Sequence, residues 1–386
     1  MECIGSRGRT LAVLSVATGI SLLVGACSAP GASGSSSGSS SGPINVAVID
    51  AQSGELSSLG AWELKGVKLA LQEQNEKGGI NGRKFKIRVY DDQGDPTVTT
   101  NLARKASSAG VEVVFGTAES SDALAMEPIL TGAKIPFITS GQSPDLGKTG
   151  SHYVFLNSPP STVFDSTLAN YLLNKKKYTK IAMISNNDSY GVGEHDAFLA
   201  DLKKAGIQPT SDQVVTPDQK DFSSALSKIA QTHPQVLFFG AEEVESGLIA
   251  KQARQLGINA VFAGGAPMGT PVYYKTAGAS VANGTLVSTP YLGNDTDAQT
   301  SAFAAAYKKA YGEEPEFHGA KAYDGANIVI RALQKTNGAA GEKLADAMHD
   351  MTYDGLVGHF TFDENGIGVH ETTIAVIKNG KQVAVG

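Results

Sequence analysis

Two small polar runs are the groups in this 386-residue sequence best placed to hold a small molecule. The first is the adjacent hydroxyl pair Ser120 and Ser121, and the second is Thr139-Ser140-Gly141-Gln142-Ser143. Each follows a short apolar stretch: Val111–Phe115 ends at Gly116, and Ile135–Ile138 runs into Thr139. Short β-branched runs of this kind read as fully buried parallel strands. In open parallel sheets, ligands sit beyond the carboxyl ends of the strands. Hydroxyls, the Gln142 amide and free backbone N–H groups delivered to one sheet edge suit a small anionic group, because turns and helix N-termini point donors outward. Two ordinary strand-to-helix turns capped by Ser would leave the same residues. Pro128 is tolerable in the segment after Ser121 only near a first turn or at a kink.

The elements that would position these turns alternate through most of the chain. Strands are predicted at Ile44–Ile49, Phe85–Tyr90, Ile181–Ile184, Gln213–Val215, Val236–Phe239, Ala260–Ala263 and Gly284–Ser288. Helices are predicted between them at Leu64–Asn75, Thr97–Ser108, Ser161–Asn174, Gly193–Ala205, Phe222–Gln231 and Val244–Leu256. Repeated β-α units imply right-handed crossovers and parallel sheets covered on both faces. After Pro290 the register changes: Thr300–Tyr311, Ala320–Lys335 and Glu342–Met351 read as three helices without a strand between them. Gly358–Phe362 and Thr373–Lys378 close the chain as strands, with Asn365-Gly366 as a hairpin-like signal. About 340 residues of folded body exceed what one core usually supports, so two α/β lobes with a cleft between them are expected.

The N-terminus points to export. Arg7 and Arg9 precede the apolar run Leu11–Val24, which is too short to span a membrane. The run closes on Leu23-Val24-Gly25-Ala26-Cys27, similar to a bacterial lipoprotein signal, so 1–26 are expected to be removed and Cys27 to carry lipid. Residues 27–43, with Gly31–Gly42 nearly all Gly and Ser, read as a flexible tether. Cys3 lies in the removed segment, so no internal disulfide is available. Net charge is −6; without Met1–Ala26, which hold two Arg and one Glu, 30 basic and 37 acidic residues leave −7. That balance argues against a nucleic-acid partner, and Lys175-Lys176-Lys177 reads as a solvated helix end.

Enzyme motifs are missing. Asp50-Ala51-Gln52-Ser53-Gly54 follows the first strand in place of a G-x-G-x-x-G turn, and Gly191-Val192-Gly193 is followed by Asp196 where a third Gly is needed. P-loop, H-E-x-x-H and G-x-S-x-G patterns do not occur, and the seven His show no metal-ligand spacing. No catalytic residue, cofactor or metal is therefore assigned.

Asn75-Glu76-Lys77-Gly78-Gly79-Ile80-Asn81-Gly82-Arg83 followed by Tyr90-Asp91-Asp92 resembles a signature of bacterial branched-chain amino-acid-binding proteins. These are solute receptors of ABC importers with the type I periplasmic-binding-protein fold. The resemblance continues through Asp95-Pro96, Ile135-Pro136-Phe137-Ile138-Thr139-Ser140, Tyr190-Gly191-Val192-Gly193, Asp221-Phe222, Gln252-Ala253-Arg254 and Tyr323-Asp324, so it covers everything from Ile44 onward. It implies two doubly wound parallel-sheet lobes joined by a three-crossing hinge near Asn157, Thr289 and Gly355. Lobe one would be 44–157 with 290–354, and lobe two 158–289 with 355–386.

The same resemblance implies the site. Ser120, beside Ser121, matches the hydroxyl that binds the ligand carboxylate, and Ser140, Gly141 and Gln142 match the second turn; Gln142 stands where a small hydroxyl residue is usual. Glu245 matches the acid that pairs with the ligand ammonium, although it lies in the acidic run Glu242-Glu243-Val244-Glu245 and a solvated charge is its plain alternative. Tyr190 matches an aromatic that closes over the ligand, and Tyr323 opens a late helix. Leu59 replaces a usual aromatic wall, for which Trp62 is a candidate substitute; Gly94 and Glu119 occupy the positions of a disulfide some relatives carry. The implied function is extracytoplasmic capture of a small aliphatic amino acid for a membrane permease, by a lipid-anchored monomer that closes about its hinge. Another small polar solute, such as an amide or carboxylic acid, or a sensor role on the same scaffold, are the alternatives.

Overall fold

The computed structural model describes residues 42–293 and 297–385. The signal segment, Cys27 and nearly all of the tether fall outside the described residues. Five strands form a first, wholly parallel sheet: β1 (Ile44–Asp50), β2 (Phe85–Asp91), β3 (Val113–Phe115), β4 (Phe137–Thr139) and β5 (Val154–Leu156), in the order β2-β1-β3-β4-β5. A second sheet takes β6 (Ile181–Asn186), β7 (Ser211–Val215), β8 (Val236–Gly240), β9 (Val261–Gly264) and β10 (Leu286–Thr289), which run β7-β6-β8-β9-β10. The two orders are the same, so the chain builds one topology twice. β11 (Thr352–Asp354) and β12 (His359–Thr361) pair only with each other, and β13 (Thr373–Lys378) and β14 (Lys381–Ala384) extend the second sheet antiparallel beyond β10.

Every residue of β3, β4, β5, β6 and β8 is buried, because helices cover both faces of each sheet. On the first sheet, α1 (Ser57–Glu76) occupies one face and α2 (Pro96–Ser108) and α3 (Ser120–Gly132) the other. On the second, α4 (Ser161–Asn170) and α5 (Ser189–Lys204) face α6 (Ser223–Ala230), α7 (Glu243–Gln255), α8 (Pro271–Ala277) and α9 (Ala279–Ala282) across the sheet. The late helices α10 (Ala298–Tyr311), α11 (Phe317–Lys335) and α12 (Glu342–His349) return to the first core, where Phe303, Tyr307, Ile328, Val329 and Leu333 pack with Val46 and Val67. α1 and α11 approach closely because Gly66 faces Gly319: a methyl on Gly66 would lie 2.2 Å from the Gly319 carbonyl oxygen.

Several expectations need correction. The closing segment does not form a hairpin across Asn365-Gly366; β12 pairs with β11, β13 pairs with β10, and Asn365-Gly366 sits in a turn closed by Gly366 N–H to the Asp363 carbonyl. Leu356, Val357, Phe360, Phe362 and Val369 are buried in the first core, so the third crossing lies between Val369 and Thr373 rather than near Gly355. Hydroxyls tie this segment to β10 and α4: Ser288 Oγ donates to Thr372 Oγ1 (2.9 Å), which donates to Thr167 Oγ1 (2.8 Å). The helix expected over Ser161–Asn174 ends at Asn170 and passes into a wider π turn over Tyr171–Lys175. β5, β11 and β14, three to four residues each, escaped the sequence pattern. Among the described residues, no helix is long and apolar enough to cross a membrane.

Candidate functional site

The carboxyl ends of both sheets face one another across a cavity of about 240 Å³. The first half contributes the loop after β1 (Glu55, Leu56), the loop after β2 (Gln93, Gly94, Pro96) and the turn after β3 (Glu119, Ser121). The second half contributes the turns after β6 (Asn186, Asp188), β7 (Pro217, Asp218) and β8 (Glu242, Val244, Glu245). Both sets sit where the strand order reverses, between β1 and β3 and between β6 and β8, the usual place for ligands in doubly wound sheets. The halves touch around the cavity. Ser189 N–H donates to Ser121 Oγ (3.1 Å), the Ser58 hydroxyl donates to Glu243, and Lys220 pairs with Glu55.

The Ser-rich turns are in place, but several of their backbone donors are already used. Ser120 is fully buried, and its Oγ accepts the N–H groups of Gln142 and Ser143, both at 3.1 Å, which clamps the second turn onto the first. Gly141 N–H donates to Thr139 Oγ1 (3.1 Å). Ser121 N–H, at the start of α3, donates to Glu119 Oε1 (2.8 Å). The backbone N–H groups of Ser121, Gly141, Gln142 and Ser143 are thus satisfied by the protein itself. The Ser120 hydroxyl hydrogen remains as a donor, since a hydroxyl accepts twice and donates once. Ser140 faces inward, donating to Glu63 above the buried ammonium of Lys321, which lies 3.5 Å from Glu63 Oε1 and 3.4 Å from the Ser140 carbonyl. Gln142 is buried and its Oε1 lacks a hydrogen-bond partner.

In the second half Glu245 is held at both oxygens. Asn186 Nδ2 donates to Oε2 (2.8 Å) and Asp218 N–H to Oε1 (2.7 Å). Burial nevertheless raises its pKa, the two donors offsetting only part of that effect. Glu242 is pushed well up by burial and then by the charges of Glu119 and Asp188. Asp188 caps α5 through Gly191 N–H (2.7 Å) and is also raised, chiefly by burial. Tyr190 is buried behind this wall, its hydroxyl unpartnered beside Glu194 and raised by burial.

Of the residues expected at the site, Ser121 and Glu245 line the cavity, and Ser120 shapes it from behind. Leu59 is buried on α1, and Trp62 lies parallel to His318 with ring centroids 6.2 Å apart. Tyr323 is elsewhere. Its hydroxyl donates to Glu73, near the far end of α1, about 25 Å along the helix from Leu56 at the cavity rim. Glu119, Asp188, Asp218 and Glu242 were not singled out as site residues. Asp188 carried a cap signal, an Asp just before the helix. Glu119 carried none, because a lone Glu in a turn reads as solvated. Among the described residues, no group of three or more His, Cys, Asp or Glu is arranged to hold a metal ion.

A family model described as "Periplasmic binding protein" matches residues 43–382. A Leu/Ile/Val-binding protein homolog of Brucella melitensis is 27% identical over 326 residues, covering 84% of this chain and 88% of that protein. The leucine-, isoleucine-, valine-, threonine- and alanine-binding protein of Pseudomonas aeruginosa is 25% identical, covering 84% and 86%. Among solved structures, the isoleucine complex of a branched-chain amino acid transporter substrate-binding protein from Streptococcus pneumoniae superposes with a TM-score of 0.82 at 25% identity, covering 89% of this chain and 98% of that one.

Proposed function

The chain belongs to the periplasmic binding protein family, and on that premise we propose that it is the solute receptor of an ABC importer, taking a small amino-acid-class solute between its halves. The observation that carries this reading is the cavity at the carboxyl edges of both sheets, with Glu245 fixed in its wall by Asn186 and Asp218. A carboxylate held at both oxygens is oriented before the solute arrives, which lowers the ordering cost of binding. Glu245 takes the solute amine by a charge-assisted hydrogen bond. The relatives named above are called binding proteins for leucine, isoleucine and valine, one also for threonine and alanine, and Leu56, Pro96, Pro217 and Val244 are the apolar part of this wall.

Both halves contribute to the wall, so a solute in the cavity favours the form in which they meet and shifts the equilibrium by its differential affinity. Hinge motion at the three crossings is the movement this requires. The closed form is what a membrane permease would engage. In this reading the protein is a monomer without catalytic activity, cofactor or nucleic-acid partner, held at the extracytoplasmic face of the membrane by lipid on Cys27.

Titration calorimetry of the purified protein against the common amino acids tests the assignment. The expected result is binding near the micromolar range, about −8 kcal/mol, weakened at least tenfold in Glu245→Ala. Absence of binding by every amine-bearing solute, or turnover of a bound one, would overturn it.

A further inference from the structure

The wall of the interlobe cavity is acidic from both sides. Glu119 and Glu242 face it from opposite halves, and Glu55, Asp188, Asp218 and Glu245 complete the set. Among the described residues no Lys, Arg or His lines it; Lys220 pairs with Glu55 at the rim. Glu119 and Glu242 are 6% and 8% exposed, so each is more than nine-tenths buried. Their roles differ from that of Glu245. Glu119 spends Oε1 on the Ser121 N–H at the start of α3 and leaves Oε2 with no hydrogen-bond partner. That placement puts a protein carboxylate on a donor that a solute carboxylate would use. The pKa values of Glu119 and Glu242 are both raised, by burial first and by neighbouring carboxylates second, the sign of acids gathered without a counter-ion.

We propose that the solute carries a second cationic nitrogen, beyond the amine on Glu245, and that Glu119 and Glu242 hold this second charge from the two halves. The proposal rests on the reading of Glu245 as the amine partner. Its chemistry is an alkyl chain bearing ammonium or guanidinium groups, available either from a basic amino acid or from a simple diamine. A neutral amino acid would bring one positive and one negative charge into a wall that offers carboxylates and no cation. A dication brings two positive charges to it. With the Ser121 N–H at the start of α3 taken by Glu119, a solute carboxylate finds one donor fewer there.

Calorimetry at low ionic strength and neutral pH would compare L-arginine, L-lysine, 1,4-diaminobutane and L-leucine on the wild type, Glu119→Gln and Glu242→Gln. The expected result is that at least one cationic probe binds ten times or more tighter than leucine. Each Gln variant should lose at least tenfold toward that probe and narrow its preference over leucine. Gln keeps an acceptor for Ser121 N–H, and Glu242→Gln tests the same charge from the other half should the α3 cap be weakened. Equal binding of diaminobutane and lysine would identify a site indifferent to the carboxylate; preference for lysine would identify the amino acid as the source. Leucine binding as tightly as every cationic probe, with Glu119→Gln and Glu242→Gln unaffected, overturns the proposal. Should leucine in that case still depend on Glu245, the receptor assignment stands; should no probe bind at all, both fall.

Discussion

Glu243 offers the cleanest reading of how the acidic cleft affects folding. Its side chain is fully buried, Oε1 accepts from Ser58 across the cleft, and Oε2 has no partner. Burial pushes its pKa from 4.5 to about 7, with the Ser58 and Thr270 hydroxyls pulling the other way. Between those values the folded protein binds more protons than the unfolded chain, so this group's contribution to stability falls as pH rises. From pH 5 to pH 8 a shift of that size removes about 2.5 kcal/mol. Glu243→Gln keeps the acceptor for Ser58 and cannot ionise. Urea unfolding of both proteins at pH 5, 6, 7 and 8, followed by circular dichroism and by the fluorescence of Trp62, the chain's one tryptophan, measures the difference. Little separation is expected at pH 5, with the variant ahead by about 2–3 kcal/mol at pH 8 and most of the gain appearing before pH 7. A wild-type-to-variant gap that stays constant across the four pH values would refute the reasoning, because a purely steric effect has no proton to lose.

Lys321→Met leaves Glu63 and Asp50 buried without their ammonium and should cost about 3–5 kcal/mol at neutral pH. Urea midpoints should show that loss shrinking in acid, where Asp50, already raised by burial and by Glu63, is protonated. Gly66→Ala drives a methyl to 2.2 Å from the Gly319 oxygen and 2.9 Å from the Tyr323 nitrogen. About 1–3 kcal/mol of stability should be lost in the same assay, with solute affinity within twofold of wild type by calorimetry.

The fold was legible because its signals are periodic and local. β6 and β8 are buried throughout and read as unbroken apolar runs, and caps such as Asp95, which accepts from Thr97 and Val98 N–H, mark helix starts. β5 and β11 are three residues long, too short to carry a period, and their pairing is decided by partners far along the chain. The closing segment misled for the same reason. Asn365-Gly366 is a good turn, but the flanking strands found other partners, because Phe360 and Phe362 gain more by filling the first core. Within the site, Glu63 had a signal: it falls four residues after Leu59 and four before Val67, on the buried face of α1, where an acid needs a partner. That the partner is Lys321 on α11 was beyond the pattern. The hydroxyls of Ser120 and Ser140 were placed correctly at the sheet edge and misjudged in what they bond. Sequence locates a donor in a turn, but only the folded chain reveals whether another turn has claimed it.

In the first half, several backbone donors that suit an anion are taken within the protein: the Gln142 and Ser143 N–H groups by Ser120 Oγ and the Ser121 N–H by Glu119. What the wall adds beside them is mostly carboxylate acceptors. Glu119 belongs to one half and Glu242 to the other, and the charge of Glu119 is, after burial, the largest cause of the rise in the pKa of Glu242. Bringing the halves together without a cation therefore either protonates one of the pair or sets like charges against each other, and both raise the free energy of the empty closed form. A positively charged solute removes that penalty only when the halves meet. Its charge thus acts on the closure equilibrium as well as on affinity, and salt, which screens the separated acids of the open form more than the buried pair, should weaken this discrimination without abolishing it.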